Sequence, residues 1–227
     1  MRRLVLLPVL ALLAAPPVLA QSPALRHTLA EATVRLDSGC TGALAERAQL
    51  VVTALHCVKD GRESVGIRLS NGEQRTGWVV ATDDVADQAV LFLETPAHLT
   101  PLRIARRTQI RGTVLFFSGH PDRPRPQEAR LDRIGTCPSL PQLPNALFTT
   151  IHGQPGDSGA PLVDGAGEIV GLVHGGAQCQ IATPANTLLA LVHLVLHPPP
   201  PVSVQQVRTE RAEAARVCRH DMPRSCA

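Results

Sequence analysis

The residues best equipped for chemistry in this 227-residue chain are Ser158, within Gly156-Asp157-Ser158-Gly159-Ala160-Pro161, and His56, within Thr53-Ala54-Leu55-His56-Cys57. A serine hydroxyl is a poor nucleophile at neutral pH. It becomes a good one when an imidazole takes its proton and main-chain N–H groups receive the oxyanion developing on an attacked carbonyl. His56 offers the imidazole, and Gly156 and Gly159 let the chain turn sharply on both sides of Ser158, because a residue lacking Cβ accepts close approach and positive φ. The imidazolium formed on proton transfer needs a carboxylate to orient and stabilise it. Three are available in Thr82-Asp83-Asp84-Val85-Ala86-Asp87-Gln88. Asp87 is the best placed, because an apolar strand begins two residues later at Ala89, and Asp84 is the second choice.

Short strands must carry these groups. Leu50 to Ala54 is an apolar, β-branched run typical of a buried strand, and His56 falls just past its end, over a potential cleft. Ala32 to Leu36, Thr41 to Leu44, Leu50 to Ala54, Ser64 to Leu69, Arg75 to Ala81 and Ala89 to Leu93 form one series separated by Gly, Asp and Asn turns, enough for one six-stranded barrel. A second series follows at Thr113 to Ser118, Ala129 to Gly135, Ala146 to Thr150, Pro161 to Val163, Ile169 to Gly175 and Ile181 to Thr183. The periodicity alone establishes an all-β chain of short strands. Between the two series, Pro101 to Arg111 carries Arg103, Arg106, Arg107 and Arg111 and reads as a solvated connector without a ligand.

Thr187 to His197 has helical apolar spacing, stopped by Pro198 to Pro201, which lack the N–H donors a helix needs. His193 and His197 are four apart on it, but no Glu follows His193, so the pair reads as a surface face rather than a metalloprotease zinc site. Val204 to His220 reads as a second short helix in a tail.

The amino terminus has the pattern of an export signal. Arg2-Arg3 precede an apolar stretch from Leu4 to Leu13, and small residues follow up to a plausible cleavage point after Ala20. The sequence thus divides into a signal at 1–20, a catalytic unit at 21–197 and a Pro-rich linker and tail at 198–227. Loss of Arg2 and Arg3 takes 22 basic residues to 20 against 19 acidic ones, so the formal charge falls from +3 to +1. That balance argues against nucleic acid or an anionic membrane as a partner. Six cysteines, an even number in an exported chain, point to disulfides.

The Thr53-Ala54-x-His56-Cys57 and Gly156-Asp157-Ser158-Gly159 segments, with Asp87 before an apolar strand, resemble the signature segments of the chymotrypsin-like (trypsin-like) serine peptidases. The chain order His, Asp, Ser matches that family and differs from the orders in subtilisins and α/β-hydrolases. The resemblance implies two six-stranded antiparallel Greek-key barrels, with the triad His56, Asp87 and Ser158 between them. It also implies an oxyanion hole from the amides of Gly156 and Ser158, no cofactor and no metal, protein or peptide substrates, and a monomer secreted or exported to the periplasm. It further implies a Cys40–Cys57 bridge beside the His56 loop. Cys137–Cys179 and a tail-closing Cys218–Cys226 are the pairings expected for the other cysteines, although the sequence permits others.

By the same resemblance His152 lies at the floor of the primary pocket, with no carboxylate beside it, and Gly171 to Gly176 is the strand that pairs with substrate. His174 lies either near that pocket or behind Asp87, and Gly176 lines the pocket. Two departures stand out. No Ile-Val sequence precedes Ala32 to supply an amino terminus for Asp157, which leaves the terminus near Gln21, a trimmed terminus after Arg26, or an internal donor. Gln154 replaces the cysteine usual four residues before the serine, as in bacterial relatives of the glutamyl endopeptidase and HtrA types.

Overall fold

The computed structural model describes residues 22–58, 63–174 and 179–198. The signal at 1–20, Gly176, Cys218, Cys226 and the tail helix lie outside them.

The first element is one the sequence reading did not anticipate. Helix α1 (Pro23–Ala32) starts with the Ser22 hydroxyl accepting from Leu25 N at 3.1 Å and with a proline in its first turn, where no N–H is required. It buries Leu29 and Ala32. With Leu25, which packs partly buried on the core, these stand at i, i+4 and i+7, a helical spacing confined to one short segment, and Ala32 ends this helix instead of beginning a strand.

Strands β1 (Thr33–Leu36), β2 (Thr41–Ala45), β3 (Arg47–Ala54), β4 (Ser64–Arg68), β5 (Gln74–Asp83) and β6 (Gln88–Leu93) form a closed antiparallel barrel in the order β1-β2-β3-β6-β5-β4. Strands β7 (Val114–Phe117), β8 (Gln127–Gly135), β9 (Ala146–Thr149), β10 (Pro161–Val163), β11 (Ile169–His174) and β12 (Ile181–Pro184) repeat that connectivity in a second barrel, β10-β11-β12-β9-β8-β7. In each, three consecutive strands pair and the sixth crosses back beside the third, which is a Greek-key path. Register shifts at Leu44/Ala45, Val79/Ala81, Leu131/Arg133 and Leu162/Val163 add the bends needed to close short strands on themselves.

Closure matters because it fixes strand ends. Residues Leu50 to Ala54 of β3 are buried, so the point at which the chain leaves that strand is held on all sides. The apolar core of the first barrel runs on through Val163, Ile169 and Leu172 of the second and through Leu188, Leu191 and Val192 of α2 (Ala185–Leu196), which packs on β5, β6 and β11. A separate cluster containing Leu115, Phe117, Leu131 and Leu162 fills the second barrel.

The connector is more embedded than its arginines suggest. Arg103, Arg106, Arg107 and Arg111 are exposed, yet Leu102, Ile104 and Ala105 are buried. Parallel bridges tie Leu102 to Ala45 in one barrel and Ile104 to Ile169 in the other.

Two disulfides are present among the described residues. Cys40–Cys57, with Cα atoms 5.9 Å apart, ties the start of β2 to the turn after β3, and Cys137–Cys179 joins the β8–β9 connection to the segment before β12.

Candidate active site

At the end of β3 the chain enters a single 3-10 turn, Leu55–Cys57, whose outer position presents His56 to the cleft with its side chain 40% exposed. Asp87 fastens this turn three times. Its carbonyl accepts from Leu55 N at 3.0 Å, its Oδ1 from His56 N at 2.9 Å, and its Oδ2 lies 2.6 Å from His56 Nδ1. Asp87 itself ends the β5–β6 turn in a left-handed conformation, φ 52°, which aspartate tolerates better than most residues. Asp83 shapes that turn, its Oδ1 accepting from Val85 N and Ala86 N, both at 2.9 Å. Asp84, the second choice, is exposed on the same turn, and Asp87 is the carboxylate that meets His56.

A second imidazole shares this carboxylate: His174 Nδ1 at the end of β11 is 2.8 Å from Asp87 Oδ2. Of the two positions left open for His174, the structure therefore shows the one behind Asp87. Burial by itself would push the Asp87 carboxyl up. The hydrogen bonds from His174 and then His56 more than reverse this and lower it to about 2, so Asp87 is an ionised acceptor at neutral pH.

Ser158 sits on the turn that leads into β10, and this turn is clamped between the barrels. Gly156 and Gly159 have φ of 97° and 81°. Ser158 O accepts from Thr41 N at 3.0 Å, and Gly156 O from Thr41 Oγ1 at 2.7 Å, so β2 of the first barrel grips both sides of the serine. A Cβ on Gly159 would overlap Thr41 O and Thr53 Oγ1, which explains the glycine there beyond its φ. From the second barrel, Gly159 N donates to Val173 O at 2.8 Å, and Val173 N to Ala160 O at 2.9 Å.

The amide inventory of this turn is uneven. Gln154 N, Asp157 N, Gly159 N and Ala160 N all donate within the protein, whereas Gly156 N and Ser158 N donate to no acceptor among the described residues. Main-chain donors left unpaired in an ordered turn are available to a ligand. These two are the pair expected to bind an oxyanion. Ser158 Oγ makes no hydrogen bond to His56 among the described residues.

Asp157 is fully buried, and its donor is internal. Arg125 Nη2 forms an ion pair with Oδ2, Gln154 N donates to Oδ2 at 2.6 Å, and His120 N donates to Oδ1 at 2.9 Å. Both Arg125 and His120 lie in the β7–β8 loop. That loop is also held to the first barrel through Asp122, which meets Arg68 at 2.7 Å and Arg35 at 3.1 Å. The sequence reading missed Arg125, His120 and Thr41. No local motif marks them, since each acts on a turn far away in sequence.

His152 is exposed, and its main chain is engaged, N donating to Gln127 Oε1 at 3.1 Å and O accepting from Arg125 Nη1 at 3.2 Å. His193 and His197, both exposed at the C-terminal end of α2, have ring centroids 4.6 Å apart and ring planes tilted by 45°. Among the described residues, two trios of side chains could converge on a metal ion: Cys40, His56 and Cys57, whose sulfurs are spent in a disulfide, and His56, Asp87 and His174, which are hydrogen-bonded to one another.

Comparison with known proteins agrees with this architecture. The profile of the trypsin-like peptidase domain matches residues 40–172, a span that takes in His56, Asp87 and Ser158. The mitochondrial serine protease HTRA2 of Bos taurus is 30% identical over 156 residues, covering 65% of this chain and 33% of the relative, so the chain spans about a third of that protein's length. Among solved structures, Deg5 superposes with a TM-score of 0.64 at 20% identity, covering 78% of this chain and 95% of that one. The MamO protease domain from Magnetospirillum magneticum does so with a TM-score of 0.61 at 22% identity, covering 73% and 97%. At those identities the structures speak for the fold alone. The profile match covers more than half of the chain, and with two barrels and a serine turn between them this chain belongs to the trypsin-like serine peptidase family.

Proposed function

We propose that the protein is an exported serine endopeptidase that hydrolyses peptide bonds through an acyl-enzyme intermediate. The observation that carries this is the ionised Asp87, 2.6 Å from His56 Nδ1, beside a serine turn whose Gly156 and Ser158 amides donate to nothing among the described residues. In the proposed reaction Ser158 Oγ attacks the scissile carbonyl and His56 Nε2 takes the hydroxyl proton. The oxyanion is received by Gly156 N and Ser158 N. His56 then returns the proton to the departing amine, and water repeats the sequence in reverse on the ester. Asp87 stays ionised, holds the Nδ1 proton of His56, and so leaves Nε2 as the lone pair that faces the serine. The Arg2-Arg3 and apolar leader together with the two disulfides support export to an oxidising compartment, and the near-neutral mature charge supports peptide substrates rather than polyanions.

A second reading, a catalytically silent double barrel that binds peptides, has one observation in its favour: no hydrogen bond joins Ser158 Oγ to His56. Catalytic hydrogen bonds in ligand-free enzymes are often long and tighten only with substrate, so the endopeptidase reading is the stronger. An organophosphonate fluorophore separates them. Covalent labelling of Ser158, absent in Ser158→Ala, is expected of the endopeptidase; folded protein that stays unlabelled would establish the silent reading.

A further inference from the structure

The outer face of the first barrel is covered along only part of its length. On β6, Gln88, Val90 and Phe92 point the same way, because side chains alternate along a strand. Helix α2 starts over this face: Gln88 Nε2 donates to Thr183 Oγ1 at 2.9 Å and to Pro184 O at 3.1 Å, and Thr187 Oγ1 donates to Gln88 Oε1 at 2.9 Å. Gln88 and Val90 are fully buried, whereas Phe92 is 38% exposed. The cover ends between Val90 and Phe92.

Beyond that point apolar side chains stand together in the open. Trp78 is the cross-strand partner of Phe92 and 46% exposed, and Val80, the extra residue of the bulge between Val79 and Ala81, is 46% exposed as well. Single exposed apolar residues are ordinary, but an aromatic cross-strand pair with a neighbouring valine forms a patch of the kind that marks a docking surface. Two carboxylates border it. Glu94 follows on from Phe92 and β6, and Glu63 O accepts from Val79 N at 3.0 Å; both residues are exposed, and neither side chain meets a cation among the described residues.

The helix that leaves this patch open also leads into the rest of the chain. α2 packs over β6 and β5. From Thr187 to Leu196 it rises about 14 Å, against about 13 Å from Gln88 to Phe92 along β6, so helix and covered strand are matched in length. Prolines at 198–201 end the helix, and residues 202–227 follow. On a helix over 204–220, Val204, Val207, Ala214, Ala215 and Cys218 would share a stripe about 100° wide. Arg211 falls inside that stripe and Arg208 at its edge, while Glu210 and Glu213 fall outside it.

We propose that residues 204–220 return as a helix onto the first barrel, covering Trp78, Val80 and Phe92 with this stripe and bringing Arg208 and Arg211 to Glu63 and Glu94. Three partly exposed side chains offer on the order of a few hundred Å², short of the about 800 Å² per partner that a stable second copy would bury. A tethered segment needs less, because a short linker presents it at an effective concentration in about the millimolar range. The inference goes beyond the endopeptidase reading and needs no turnover to test it.

Trp78 is the one tryptophan of a chain that has no tyrosine, so its fluorescence reads this surface directly. Acrylamide quenching of the full chain is compared with that of Val204→Asp/Val207→Asp, which puts two carboxylates on the stripe and alters no residue of either barrel. The expected result is a protected Trp78 in the wild type, with a several-fold higher quenching constant and a red-shifted emission in the double variant. Arg211→Glu, which turns the stripe's cation against Glu63 and Glu94, is expected to release Trp78 in the same way. Should the double variant not stay folded by circular dichroism, Arg211→Glu alone makes the comparison. Trp78 quenched equally in the wild type and the variants would overturn the proposal. So would protection that is lost on dilution and indifferent to the tail substitutions, which would assign the face to a second copy of the chain.

Discussion

Ser158 and His56 act as a unit in the proposed reaction, so their substitutions are not expected to add. Ser158→Ala and His56→Ala should each reduce kcat by roughly 10⁴- to 10⁶-fold, and the double variant should be little worse than either. His56 is exposed and Ser158→Ala removes a single oxygen atom, so the fold should survive, which circular dichroism checks. Asp87 carries a further, thermodynamic signature. Its carboxyl is lowered from an ordinary 3.8 to about 2 in the folded protein, so the unfolded chain binds its proton first as pH falls. The resulting stabilisation is fully present above the unfolded value, declines as pH drops through the interval between the two, and is gone below the folded value. Its size is about 2 kcal/mol. The stability difference between wild type and Asp87→Asn, from urea titrations at successive pH values, should therefore be flat from pH 7 to about 5 and shrink by about that amount towards pH 2. A difference that stays constant over that range would show that Asp87 gains nothing from its two imidazoles.

At the scale of elements, the site is a set of strand ends and turns pinned by long-range bonds, and the pins differ in how readable they are. The β3 strand and the serine turn announce themselves: a buried β-branched run ending in Ala-Leu-His-Cys, and glycines flanking Ser158 where φ is positive. Asp87 is legible as a carboxylate before a buried strand, although nothing local tells that its φ is left-handed. Helix α1 was not legible, because its core-facing Leu25, Leu29 and Ala32 span only two turns and the proline at its start reads equally as a break. Arg125 was not legible either. It sits in a Pro- and Arg-rich loop, and its importance comes from a buried aspartate that folding brings to it. Removing it by Arg125→Met leaves Asp157 buried with two amides and no cation, a loss of the kind that costs roughly 3–5 kcal/mol. Because Asp157 precedes the serine, activity should fall together with the unfolding midpoint; an Arg125→Met protein with wild-type stability and turnover would remove the internal counterion from the account. The Cys40–Cys57 bridge belongs to this scale as well. Its 17-residue separation corresponds to roughly 3 kcal/mol of restricted unfolded-chain freedom, so mild reduction should lower stability and phosphonate labelling in parallel.

At the scale of the whole molecule, the all-β class was the most legible level, read from two series of short strands separated by turns, while the pair of closed barrels came from the resemblance of the His56 and Ser158 segments to a known family. Specificity was the least legible, because a pocket is built from side chains that three separate segments contribute. The structure narrows it by accounting for charge. Among the described residues the buried carboxylates are Asp87 and Asp157, and both are fully engaged, one by two imidazoles and an amide, the other by Arg125 and two amides. Neither is free to meet a basic P1 side chain, whose desolvation would go uncompensated. His174 is likewise spent on Asp87, which leaves His152 as the sole histidine of the expected pocket pair free to meet an acidic P1 group. A lone exposed imidazole is a weak anchor for a carboxylate, and the expected preference is for small or apolar P1 side chains. A peptide library profiled at two pH values on either side of the imidazole range reads this out. Cleavage after Ala, Val or Leu with little pH dependence in the preference is expected. Cleavage after Glu or Asp that weakens as pH rises, and that His152→Ala abolishes, would transfer the pocket to an acidic specificity, and efficient cleavage after Arg or Lys would show that a carboxylate other than Asp87 and Asp157 lines it.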